Sequence, residues 1–261
     1  MVLLIKFLCT GASILAFGAA LCAQDATPGK NEVSIRSQTQ KVYFYPRADA
    51  TQHPTILFVP GDRGCEGFAI TIAQRLSQVG HDTYCLVTRH YLESFTGHGG
   101  LTTPDIASDF RQLARWIEPN RKRRIMLIGW SEGAGLDLAA TADAANQAVF
   151  LGVIAIGMPE SNILAWHWKD IAASLTKTLP HEPTFKTADF IGRVSPLPLF
   201  VIASTSNEYV TPDATRTLYA LAGQPKKLVL VNARDHKYSG NTDGFFRALE
   251  EGLAWINQNQ P

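Results

Sequence analysis

A serine with glycine two places away on either side, as in Gly129-Trp130-Ser131-Glu132-Gly133, can be made into a nucleophile. This G-x-S-x-G spacing carries chemistry only where a strand runs straight into a helix. The bend there is so tight that a Cβ at either glycine meets a neighbouring element, and the hydroxyl is pushed out at the carboxyl edge of the sheet. The apolar run Ile125 to Ile128 leads into the motif and a helical pattern begins at Ser131, so the required context is present. An unassisted hydroxyl is a poor nucleophile and needs a base within hydrogen-bond reach. Of seven histidines, His236 stands just past the last apolar strand, in the loop Asn232 to Gly240, and is therefore expected at the same edge as Ser131. His90, His98, His167 and His181 lie in loops that can line a pocket, but none follows a core strand so directly. No pair of histidines has metal-ligand spacing, and attack by Ser131 on a carbonyl calls for neither a metal nor an organic cofactor.

These two residues need a scaffold that brings them together. Alternating segments at Val33 to Ile35 and Val42 to Tyr45 predict a pair of edge strands. From Thr55 the pattern changes to continuous apolar runs, Thr55 to Val59, Thr83 to Thr88, Ile125 to Ile128, Val149 to Ile156, Leu197 to Ala203 and Leu228 to Val231, as strands buried on both faces require. Between them lie helical stripes. One carries Phe68, Ile72, Leu76 and Val79, and a second, opened by Thr103-Pro104-Asp105, carries Ile106, Phe110, Leu113 and Ile117. Others start at Ser131 and at Thr211-Pro212-Asp213, and a carboxy-terminal one carries Phe246, Leu249, Leu253 and Ile256. Strands that alternate with helices need crossovers, which predicts an α/β fold with a mostly parallel sheet covered on both faces. Residues 158 to 196 interrupt the rhythm with Trp166, Trp168 and several prolines and read as a small lid-like insertion.

Composition excludes other classes. The 261 residues are 46% hydrophobic and 18% charged, enough apolar side chains to fill a sizeable core. A net charge of +1 lacks the basic excess of a nucleic-acid binder. The run Arg121 to Arg124 precedes a core strand, so it belongs to the sheet edge opposite Ser131 and reads as a solvated loop. Residues 1 to 23, with Lys6 before an apolar stretch that ends in small residues, read as a secretory signal peptide, leaving residues 24 to 261 as a single domain in the periplasm or outside the cell. Cys65 and Cys85 remain beyond that segment, either bridged or as two separate buried thiols.

The chain from residue 24 onward resembles the α/β-hydrolases, in which the chain order is nucleophile, acid, histidine. The resemblance implies an ester hydrolase working through an acyl-enzyme, with a third residue to orient His236. Typical members carry Asp where Asn207 stands in Ser204-Thr205-Ser206-Asn207-Glu208, so the acid is expected from Glu208, with Asn207 itself and Glu160 as alternatives. It also implies an oxyanion hole made by the backbone N–H of Glu132 and a second from Pro60-Gly61-Asp62-Arg63-Gly64-Cys65, expected at Asp62 with Arg63 behind it. A narrower likeness, over roughly residues 55 to 140, is to the periplasmic VirJ/AcvB-type virulence hydrolases. It rests on the Gly-Asp-Arg-Gly loop, on Arg89-His90-Tyr91-Leu92 with Thr103-Pro104 and Asp109, and on the Ser131 elbow. It implies a small-molecule, lipid or aminoacyl ester as substrate and an association with the cell envelope. Loss of the acid at Asn207 leaves a second reading, a degenerate hydrolase that serves as an envelope binding or accessory protein.

Overall fold

Successive residues of a strand point to opposite faces, and the central strands are apolar at nearly every position because both faces are covered. The computed structural model describes residues 29–49, 53–97, 100–120, 122–167 and 183–261. The segment 1–23, together with His98, Arg121, Trp168 and His181, lies outside them. In β3 (Ile56–Val59), Leu57 and Val59 enter one core while Ile56 and Phe58 enter the other. The same division runs through β5 (Ile125–Trp130), β6 (Phe150–Ile156) and β9 (Leu199–Ser204). Each such fully buried side chain contributes roughly 1.5–3 kcal/mol.

The strands assemble with β1 (Gly29–Ile35), β2 (Gln38–Tyr45), β4 (Thr83–Leu86) and β10 (Lys226–Val231) into one eight-stranded sheet of order β1-β2-β4-β3-β5-β6-β9-β10. The pairs β1/β2 and β2/β4 are antiparallel; from β4 to β10 every pairing is parallel. The chain leaves β3 to one side for β4 and returns on its other side for β5. Such a reversal opens a crevice at the carboxyl ends of the strands.

One face is covered by α1 (Phe68–Gln78), through Ala69, Ile72 and Leu76, and by α7 (Thr242–Gln258), through Phe245, Leu249, Leu253 and Ile256. Phe246, expected on the buried stripe of α7, is only partly buried, and Phe245 takes its place. The other face is covered by α2 (Thr88–Phe95), α3 (Thr103–Ile117) and α4 (Glu132–Thr141). Helix α6 (Pro212–Leu221) leads from β9 to β10.

The expected extent of β4 needs correction. The strand expected over Thr83 to Thr88 stops at Leu86, and Thr88 opens α2 instead. Tyr91, Leu92 and Phe95 are its buried face, and the Tyr91 hydroxyl donates to Asp109 Oδ2 at 2.7 Å. Arg36, in the β1–β2 turn, grips the same carboxylate with two nitrogens, at 2.8–3.2 Å, and lies over the Phe95 ring. The tertiary network thus selects a helix that a six-residue apolar run does not reveal. The stretch 158–196 also has structure of its own. Antiparallel β7 (Ser161–Ile163) and β8 (Thr184–Lys186) are followed by the single turn α5 (Ala188–Ile191), while residues 168–182 lie outside the described part.

Candidate active site

Ser131 sits between β5 and α4 with φ 56° and ψ −123°, a conformation a residue with a Cβ adopts only where the surroundings impose it. The surroundings do so. A Cβ at Gly129 would lie 2.4 Å from Ala134 Cα, and one at Gly133 1.7 Å from the Val59 carbonyl oxygen, so neither position can hold another residue. The Ser131 N–H donates to the Ile156 carbonyl at 2.8 Å, and Ser131 O accepts from Ala134 N at 2.9 Å, which fixes the bend to β6 on one side and to α4 on the other.

Beside it, at the end of β3, Gly61 approaches so closely that a Cβ there would stand 3.3 Å from Ser131 Cβ and 3.7 Å from Oγ. The loop Gly61-Asp62-Arg63-Gly64 is thereby held against the serine, and Cys65 is bonded to Cys85 of β4. Burial pushes the Asp62 carboxyl up, against the pull of Arg63 and Arg89. Burial also raises the Glu132 carboxyl well above its usual range, opposed by the Ile163 N–H it accepts at 2.6 Å and reinforced by Asp62. The Glu132 side chain therefore ties the elbow to β7, while its backbone N–H lies at the first position of α4, where helix amides are unpaired and face the dipole's positive end.

His236, just past β10, is 6% exposed. Its ring stacks on Trp130, the residue before Ser131, with centroids 5.5 Å apart, and Tyr209 meets it edge-on at 5.4 Å. Gly157 follows β6 with φ 55°, and a Cβ there would come within 2.7 Å of His236 Cε1. Burial pushes the imidazole down to about 4, with Glu208 and Asp235 favouring the charged form and Lys237 opposing it. His236 Nδ1 lies 2.9 Å from Asn207 Nδ2. Nε2 is buried without a hydrogen-bond partner, so no hydrogen bond joins it to Ser131 Oγ in this structure. Catalytic hydrogen bonds are often open before substrate arrives.

No family model matches the chain, and no curated protein matches it. Solved structures do. Est1E from Butyrivibrio proteoclasticus superposes with a TM-score of 0.63 over 88% of this chain and 99% of its own, at 13% identity. The α/β hydrolase GrgF from Penicillium sp. sh18 gives 0.66 over 89% and 98%, at 12% identity. The esterase domain of a Rhodothermus marinus protein gives 0.60 over 88% and 97%, at 20% identity. The chain has the α/β-hydrolase fold. At these identities the likeness concerns architecture alone.

On this α/β-hydrolase scaffold the candidate residues converge from the carboxyl ends of β3, β5, β6, β9 and β10. The structure brings Asn207, rather than Glu208, to the imidazole. The Glu208 carboxylate accepts the backbone N–H of His236 at 2.7 Å, so it fastens the loop and leaves the ring nitrogens alone. Glu160 is exposed, and its carbonyl accepts the Thr187 N–H. The expectation of Glu208 as the orienting acid is thus corrected by geometry. Asn207 is buried because its own side chain closes the turn after β9, accepting from Tyr209 N and Val210 N.

Four residues make contacts at the site that the sequence does not announce, although Trp130 and Arg89 stand in motifs quoted above. Trp130 and Tyr209 clasp the His236 ring, and Arg89 lies over Trp166 with its guanidinium carbon 3.9 Å from the ring centroid, joining α2 to the insertion. The fourth, Gly157, had a signal: a glycine directly after a core strand often marks close approach by another group. Among the described residues no group of three His, Cys, Asp or Glu side chains is placed to hold a metal, and no helix is long and apolar enough to cross a membrane.

Proposed function

We propose that this protein is a serine hydrolase that cleaves carboxylic esters through an acyl-enzyme. The observation that carries the reading is the strained Ser131 elbow, with the His236 ring stacked on the adjoining Trp130. Ser131 Oγ attacks the carbonyl and gives its proton to His236 Nε2 as the new C–O bond forms; His236 returns that proton to the departing alcohol as the old C–O bond breaks. The Glu132 and Asp62 amides hold the developing oxyanion, and water repeats the cycle to free the acid. The structural neighbours include esterases, which supports an ester as substrate. The VirJ/AcvB-type likeness of residues 55 to 140 extends the proposal to lipid or aminoacyl esters at the cell envelope. Export is supported by the signal-like segment 1 to 23 and by the Cys65–Cys85 bond, which suits an oxidising compartment.

The test is hydrolysis of short p-nitrophenyl esters by the purified protein and by Ser131→Ala, with a fluorophosphonate probe as an independent readout. Turnover and labelling lost in Ser131→Ala, with an unchanged circular dichroism spectrum, are expected. Turnover retained in the variant refutes the reading.

A second reading is favoured by Asn207, an amide where a carboxylate would support the base. In that reading the chain is a hydrolase scaffold used for binding. Inertness toward esters, thioesters and lactones, absence of probe labelling and recovery of a partner in pull-down would select it.

A further inference from the structure

The side-chain oxygen of Asn207 accepts two backbone donors, Tyr209 N at 2.9 Å and Val210 N at 3.2 Å. This decides which end of the amide faces which way. Turned over, the amide would set its NH2 group against two N–H donors and lose both hydrogen bonds. Nδ2 therefore points at His236, 2.9 Å from Nδ1. An amide N–H can only donate, so Nδ1 is the acceptor and the proton of the neutral imidazole sits on Nε2. A carboxylate in the same place would impose the opposite: it accepts from Nδ1–H and leaves the Nε2 lone pair free for the serine proton.

Nothing else near the ring reverses this choice. The charged groups acting on His236 are Glu208, Asp235 and Lys237. Glu208 is committed to the His236 backbone N–H. Asp235 accepts from Lys237 N and Ser239 N, both at 2.9 Å. The ring cannot easily turn over either, held by Trp130 on one face, by the edge of Tyr209 and by the bare backbone of Gly157.

We propose that Asn207 is a positioning residue that holds resting His236 in the Nε2–H tautomer, so that the imidazole presents a donor where the acyl-transfer reaction needs a base. The activity side of this proposal rests on the serine hydrolase reading; the tautomer does not. For Ser131 to attack, the ring proton must first pass through solvent from Nε2 to Nδ1 while the Asn207 amide turns its oxygen toward Nδ1 and releases Tyr209 and Val210. Nε2 can then take the Ser131 proton as the Oγ–C bond forms and deliver it to the leaving oxygen. The turn after β9 thus throttles the base. It is also shaped for an aspartate: one carboxylate oxygen could keep both backbone donors while the other accepts Nδ1–H.

The experiment pairs a spectroscopic measurement with a nearly isosteric variant. Protein labelled with 15N-histidine is examined by long-range 1H–15N NMR at neutral pH, with His236→Gln used for assignment. An unprotonated Nδ1 and a protonated Nε2 are expected in the wild type, and the reverse in Asn207→Asp. On p-nitrophenyl esters, Asn207→Asp should raise kcat by at least about 100-fold with little change in KM. The acid limb of its pH profile should move upward, because the new carboxylate favours the imidazolium. Protonation of Nδ1 in the wild type overturns the proposal, as does an Asn207→Asp enzyme that cleaves esters no faster than an active wild type. If neither form cleaves esters or takes up the fluorophosphonate probe, the hydrolase reading fails, while the NMR result still decides the tautomer.

Discussion

Gly157 lies directly against the imidazole of His236: a Cβ built on it would stand 2.7 Å from Cε1 and 3.0 Å from Nδ1. The position is set from both sides, because the Gly157 N–H donates to the Ile202 carbonyl at 2.8 Å and the preceding residue, Ile156, accepts the Ser131 N–H. One backbone segment therefore spaces the candidate base from the candidate nucleophile. Gly157→Ala should displace the ring and lower kcat/KM for p-nitrophenyl esters by about 100-fold, the cost of moving a reacting group by roughly 1 Å. A side chain at φ 55° adds strain of about 1–2 kcal/mol, read as a lower urea midpoint. Full activity in Gly157→Ala would show that the Gly157 backbone does not set the position of the imidazole.

The buried imidazole makes stability depend on pH. His236 titrates at about 4 in the folded chain against 6.5 when free, so between these values the unfolded chain binds the additional proton. Stability is fully present above about pH 6.5 and drains away as the pH falls toward 4, by on the order of 2–3 kcal/mol. His81 is also lowered by burial and contributes to the same slope, so the measurement is the difference between wild type and His236→Gln in urea titrations at each pH. Under the proposed mechanism ester turnover needs neutral His236 and should keep its acid limb near pH 4. A limb near 6.5 and no difference in slope would mean that the ring is solvated.

The Cys65–Cys85 bond joins the loop that follows β3 to the neighbouring strand β4, and thus holds the loop carrying Asp62 beside Ser131. The two cysteines are 20 positions apart, and closing such a loop constrains the unfolded chain by about 3 kcal/mol. Replacing both by serine, or reducing the wild type, should lower the unfolding free energy by about that amount and, under the proposed mechanism, reduce kcat more than KM, because the loop assigned to the oxyanion loses its support. An unchanged denaturation midpoint on reduction would place the two sulfurs apart in solution.

Much of this architecture is legible in the chain itself, for local reasons. Apolar runs such as Ile125 to Ile128 favour a doubly covered strand, Pro104 and Asp105 mark the start of α3, although its cap is Thr102 rather than Thr103, and Gly129 and Gly133 leave the bend at Ser131 as the conformation their spacing allows. The placement of His236 after the last strand follows from the same periodicity, since parallel strands put all their carboxyl ends at one edge. Helix α2 is not legible, because its partners, Arg36 and Asp109, lie far from it in sequence.

Which side chain meets the imidazole is a different kind of question. Asn207 and Glu208 are adjacent, and no pattern in the sequence tells which of them points inward. Tertiary structure decides it through two backbone N–H groups that capture the Asn207 oxygen and a His236 N–H that captures Glu208. The turn that Asn207 closes with Tyr209 and Val210 is local, but the Asn207–His236 contact and the Glu208–His236 hydrogen bond depend on the angle between two loops. Sequence periodicity determines where each loop begins and ends, whereas that angle exists only once the sheet between them has formed.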